Sequence, residues 1–140
     1  MKLQTRNKTL LAGICLAMLS ASAGALELKV KKPARATAKP DLIVYFVNQN
    51  YYAGGDVIRV TIRNNGTAKS GSAVLTAQNM APGGGYGEAS IPSVDPGSIK
   101  NVDIKLNKPP REGDRLKFFA DAKQHVVESN ENNNIKYINY

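Results

Sequence analysis

From Asp121 to Asn134 the chain reads Asp-Ala-Lys-Gln-His-Val-Val-Glu-Ser-Asn-Glu-Asn-Asn-Asn, a loop dense in side-chain oxygen. Asp121, Glu128 and Glu131 offer hard carboxylate oxygens, and Asn130, Asn132 and Asn133 add amide carbonyls. Calcium takes six to eight such ligands in a tolerant geometry, so a calcium site is chemically open to this loop. The spacing does not match an EF-hand, however, and nothing in the sequence brings the three carboxylates to one point. The competing expectation is an extended turn in which Asn and Asp side chains bond to nearby backbone and the two glutamates orient the loop through backbone N–H groups.

A second group of residues has the chemistry of a contact surface. Tyr51 and Tyr52 lie in the segment 48–55, Tyr86 in 80–87, and Arg111 in 107–114, all rich in glycine or proline. Tyrosine supplies a flat apolar face with a polar rim at low entropic cost, which suits a sugar ring or a protein surface. The alternative is that Tyr51 or Tyr52 closes the open end of a core. Gly83 to Gly85 is not read as a phosphate loop, because no helix follows to present its N-terminus.

Catalysis finds little support. His125 is the only histidine and Cys15 the only cysteine. No Ser/His/Asp order and no paired carboxylates stand out, so the expectation is a non-enzyme with His125 at a strand end.

These residues must be positioned by short strands. Residues 41–47 and 56–63 carry β-branched and aromatic residues, the second run alternating Ile58, Val60 and Ile62 against Arg59, Thr61 and Arg63. Further strands are expected at 73–78 and 88–91, around the alternating Val102, Ile104 and Leu106, around Leu116, Phe118 and Ala120, and at 135–140. Asn64-Asn65-Gly66 should end the second strand, since Asn and Gly tolerate positive φ. No window of the chain after residue 25 has apolar residues at helical spacing. The pattern predicts an all-β fold, an antiparallel seven-strand immunoglobulin-like β-sandwich, with a barrel as the alternative. Phe46, Phe118 and Phe119 are the largest core candidates. In such a sandwich the loops after strands two, four and six share one end, and those after one, three and five share the other.

Four stretches in order carry a family resemblance: Pro40-Asp41-Leu42-Ile43-Val44, Val60 through Gly71, Ile91-Pro92-Ser93-Val94-Asp95-Pro96-Gly97-Ser98, and Ala120-Asp121-Ala122 with Val127 through Asn133. Residues 41–140 resemble CARDB, the cell-adhesion-related domain found in bacteria. The resemblance implies an immunoglobulin-like sandwich on an exported or surface protein, with a role in adhesion or ligand presentation. CARDB domains usually occur as one module among several, whereas here the domain follows only a basic arm.

The N-terminus points to export. Lys2, Arg6 and Lys8 precede an uncharged run from Leu10 to Leu19, and small residues lead to Ala23-Gly24-Ala25, the pattern of a signal peptide over residues 1–25. That apolar run is about half the length a membrane span needs, so no transmembrane segment is expected. Cleavage would leave 16 basic and 11 acidic residues, and five of the basic ones fall in residues 26–40 against a single acid. Basicity therefore belongs to an arm, read as a flexible tether for an anionic surface or as a solvated linker. Nucleic acid is not an expected partner for an exported chain without an ordered basic face. Two functions follow: a periplasmic or extracellular module that binds an envelope protein or glycan through its tyrosine-bearing loops or the basic arm, or a structural subunit that uses an edge strand such as 135–140 to join a neighbouring sheet.

Overall fold

The computed structural model describes residues 36–49 and 56–140. The signal-peptide reading for 1–25, most of the arm, and the candidate contact residues Tyr51 and Tyr52 lie outside the described residues. Seven strands follow in order: β1 (Leu42–Asn48), β2 (Val57–Asn64), β3 (Ala73–Asn79), β4 (Tyr86–Ile91), β5 (Ile99–Lys105), β6 (Arg115–Phe119) and β7 (Ile135–Asn139). They form two antiparallel sheets, β1-β2-β5 and β4-β3-β6-β7. The all-β immunoglobulin-like sandwich predicted from alternation is thus present. Relative to antibody constant domains, whose fourth strand joins the sheet of the first, β4 has moved across to pair with β3.

The core follows from the period of two. In β2 the inward residues Ile58, Val60 and Ile62 are completely buried, while Arg59, Thr61 and Arg63 face out. Leu75 and Ala77 from β3, Ile104 from β5, and Leu116 and Phe118 from β6 meet them between the sheets. Phe118 lies directly across from Ala77, a large residue over a small one, which lets the two strands pack without a void.

Two core expectations need correction. Phe46 is 56% exposed, because the β1–β2 register shifts between Val44 and Phe46. This bulge inserts Tyr45 as an extra residue, so the inward series Leu42, Val44 resumes at Val47 and Phe46 is turned out. Phe119 alternates with the buried Phe118 and belongs to the outer face of its sheet. Asn64-Asn65-Gly66 also works differently from the expectation. Among the described residues the glycines at positive φ are Gly83, Gly97 and Gly113, and Gly66 is required for close approach: a Cβ there would collide with the backbone of Lys39 and Pro40.

For the described loops, the two ends of the sandwich sort as predicted, residues 50–55 of the β1–β2 loop lying outside the described residues. At one end the backbone N–H groups of Thr67 and Ala68 donate to the Lys39 carbonyl, Ser70 donates to Val94, and Ser129 donates to Pro40. These bonds gather the β2–β3, β4–β5 and β6–β7 loops, and they tie Lys39 and Pro40 to the folded unit. At the other end Asn79 donates to Gly85, Met80 to Arg115 and Tyr140 to Asp114.

Candidate functional site

The loop between β6 and β7 is built around Asp121, which adopts positive φ and is buried. Its carboxylate accepts the backbone N–H of His125 at 3.0 Å and of Val126 at 2.9 Å, so it caps the turn that seats the buried Val126 against the core. His125 itself is exposed. Glu131 Oε1 accepts the N–H of Glu128 at 2.8 Å, and Asn130 Oδ1 accepts that of Asn132 at 3.1 Å. These are the side-chain-to-backbone bonds of an extended turn.

Glu128 differs from its neighbours. It is only 3% exposed, and its Oε2 accepts Asn134 Nδ2 at 2.7 Å. Burial pushes its carboxyl up to about 7, opposed by the Asn134 amide and the Leu42 backbone N–H and reinforced by the charges of Glu131 and Asp121. Among the described residues, no group of three or more His, Cys, Asp or Glu side chains is arranged to hold a metal ion. The loop's unsatisfied oxygens include amides: Glu128 Oε1, Asn133 Oδ1 and Asn134 Oδ1 are buried without a protein donor.

At the opposite end Tyr86 and Arg111 stand on different elements, β4 and the β5–β6 loop. Tyr86 is a residue of β4 and not of the preceding loop, paired with Gln78 and with its N–H donated to Asn107 Oδ1 at 2.8 Å. Its hydroxyl donates to Glu88 Oε1 at 2.6 Å, a bond that holds the carboxyl of Glu88 below, and the phenol above, their ordinary ranges. Lys123 bridges to the other oxygen of Glu88 at 2.9 Å. Arg111 instead lines a groove of about 380 Å³ with Asn79, Pro82, Gly84, Pro109 and Asp114. Asp114 is the brace of that groove: its Oδ2 accepts the Arg111 N–H at 2.9 Å and Asn79 Nδ2 at 2.6 Å, and both lower its carboxyl pKa. Lys108 crosses the groove to the Gly83 carbonyl at 3.0 Å.

The residues missed in the sequence lie on the outer face of the four-stranded sheet. Strand pairing aligns Glu88, Thr76, Phe119 and Ile135 in one row, and Tyr86, Gln78, Lys117 and Tyr137 in the next. Tyr137 and Ile135 are exposed large apolar side chains. The guanidinium of Arg115 lies 4.6 Å from the Tyr137 ring centre, and the ammonium of Lys117 lies 5.7 Å from that of Phe119. Such a face combines apolar area with cations held in place. The signal was in the sequence: β6 and β7 carry apolar residues at both parities, which one buried face cannot absorb. On the outer face of the other sheet Arg59 pairs with Asp103 through two bonds of 2.7 Å and Thr61 with Asn101 at 2.9 Å, and the exposed Phe46 and Ile99 lie beside these pairs.

The CARDB family model matches residues 39–137. The chain belongs to the CARDB family. The match begins at Lys39, the residue whose carbonyl accepts the Thr67 and Ala68 amides. Among solved structures this CARDB domain is similar to the CARDB domain of the PF1109 protein from Pyrococcus furiosus, determined in complex with di-metal ions. The two share 25% identity with a TM-score of 0.51, over 71% of this chain and 85% of that one. No curated protein matches the sequence. Membership of this family suggests a bacterial adhesion-related module.

Proposed function

We propose that this CARDB domain is an exported, non-catalytic adhesion module of the prokaryotic cell envelope that contacts an envelope protein through the outer face of its four-stranded sheet. The observation that carries this reading is the aromatic and cationic strip of Tyr86, Phe119, Ile135 and Tyr137 with Arg115 and Lys117. Aromatic and arginine side chains are the types that anchor protein interfaces. Cations already rest against two of the rings, which favours a partner bearing carboxylates over a bare sugar ring. Export is supported by the signal-peptide pattern of residues 1–25, and the basic arm adds an electrostatic attraction that salt would weaken. Among the described residues no helix is long and apolar enough to cross a membrane.

The test is capture from an envelope extract by the wild-type chain and by the variants Tyr137→Ser, Lys117→Glu and Arg111→Ala. Loss with the first two and retention with the third supports the sheet face. Retention by all three sinks it, and a retained polysaccharide in place of a protein would move the reading to a glycan.

A structural role in assembly is the second reading, since β7 is an edge strand. Lys136 already covers part of that edge by donating to the Tyr45 carbonyl at 2.7 Å. Concentration-dependent self-association lost on shortening β7 would favour assembly.

The di-metal complex of the Pyrococcus furiosus domain supports looking for a cation site in this domain, and the oxygen-rich β6–β7 loop is the candidate. Its residues fit one cation and not two, because a metal pair calls for bridging carboxylates and no cluster of three acidic or histidine side chains is present among the described residues. The buried oxygens without donors fit a single hard ion.

A further inference from the structure

We infer that the β6–β7 loop binds one hard divalent cation through Glu128 Oε1, Asn133 Oδ1 and Asn134 Oδ1, an assignment of ligands that rests on the cation reading above. Buried polar atoms in folded proteins almost always have partners. Among the described residues four buried side-chain atoms have none, and three of these are oxygens of this one loop. The fourth, Arg63 Nε, belongs to a guanidinium set 5.5 Å from the Tyr45 ring centre.

The chemistry of the loop fixes which way these oxygens face. Asn134 Nδ2 donates to Glu128 Oε2 at 2.7 Å, and Asn133 Nδ2 donates to Asp41 Oδ1 at 3.0 Å. Turning either amide over would set a carbonyl against a carboxylate, so each NH2 is committed and each carbonyl oxygen is left facing elsewhere. Glu128 is held in the same way, with Oε2 engaged and Oε1 left over. With Glu128 ionised the unmet groups are therefore all acceptors, and what they lack is positive charge or a donor.

Three further facts favour a cation. Glu128 and Asn134 are buried to 3% and 2% exposure, and a desolvated carboxylate without a counter-charge is costly. Two contacts run from the loop to the start of β1: Asn133 Nδ2 donates to Asp41, and the Leu42 N–H faces the Glu128 carboxylate. A cation would thus join the loop to the strand that follows the basic arm. Finally, the donors are oxygens of mixed charge, which suits Ca²⁺ with its flexible shell better than zinc, whose preferred ligands are nitrogen and sulfur. Waters and backbone carbonyls would complete the shell.

The probe is Ca²⁺ alone, added to the full chain after chelator treatment, with calorimetric titration and thermal melting as readouts. Single-site binding is expected, with Tm raised by roughly 5–10 °C when Ca²⁺ stands at about ten times its dissociation constant. Glu128→Gln keeps the volume and relieves the buried charge, so its cation-free Tm should equal or exceed wild type while the Ca²⁺ shift disappears. Asn133→Ala should weaken binding about tenfold, and it carries the test if Glu128→Gln does not fold. Absence of heat and of any Tm shift with Ca²⁺, Mg²⁺ and Mn²⁺ in the wild type would overturn the cation reading itself. Undiminished binding in both variants would overturn the ligand assignment and leave a cation bound elsewhere.

Discussion

The side chain of Asn64 donates a 2.9 Å hydrogen bond to the backbone carbonyl of Val94, joining the end of β2 to the β4–β5 loop. The same amide donates to the Ala68 carbonyl at 2.8 Å, and its oxygen accepts the N–H groups of Asp41 at 3.0 Å and Gly66 at 2.9 Å. Asn64 is fully buried and uses all four of its hydrogen-bonding positions on backbone. No other residue type offers two donors and two acceptor sites at that length, so Asn64 organises the end of the sandwich where the β6–β7 loop also lies.

Replacing Asn64 by Asp keeps the acceptors and removes both donors, leaving two carbonyls facing a carboxylate. The variant should lose about 2–4 kcal/mol of stability, measured by denaturant unfolding. A loss below about 0.5 kcal/mol, the scale of a surface change, would mean that water replaces those bonds without cost.

Phe118 and Phe46 should separate by an order of magnitude. Phe118→Ala empties a fully buried site across from Ala77 and is expected to cost about 3–5 kcal/mol. Phe46→Ala changes an exposed ring beyond the β1 bulge and should stay within about 0.5 kcal/mol. Equal costs in chemical denaturation would contradict the bulge.

Gly66→Ala places a Cβ into the backbone of Lys39 and Pro40. The expected result is a lower Tm together with faster amide exchange at Thr67 and Ala68, whose N–H groups bond the Lys39 carbonyl. Wild-type exchange at those amides would show that the segment can shift away without loss.

The Asp114 carboxyl is held below its ordinary range by the Arg111 N–H and the Asn79 amide. A depressed folded-state pKa means that its stabilisation is present above the unfolded value of about 3.9 and is lost as pH falls through the folded value. Acid titration followed by NMR should therefore loosen the β5–β6 loop below pH ~4, and Asp114→Asn should flatten that dependence. An Asp114 titrating at its ordinary value would remove the brace from the groove.

The alternation of residues such as Ile58, Val60 and Ile62 determined by itself the strands, the sheet faces and the sorting of loops by end, because a period of two with polar turns has few compact solutions. The order of motifs from Pro40 to Asn133 was likewise enough for the family. The expectation that the β6–β7 acids would orient backbone was legible for Asp121 and Glu131, whose bonds are made within a few residues. What the sequence could not hold is whatever depends on partners far along the chain. The bulge that exposes Phe46 is a mismatch between β1 and β2, visible only once the strands are paired. The placement of Tyr86 opposite Gln78, and the alignment of Phe119 with Ile135 and Lys117 with Tyr137, come from register between strands. The unmet oxygens of Glu128, Asn133 and Asn134 arise only when the loop is buried against the start of β1, since water satisfies them in the open chain. Local chemistry is written residue by residue, but burial and cross-strand neighbours exist only in the folded chain, and these decide which side chains can act together.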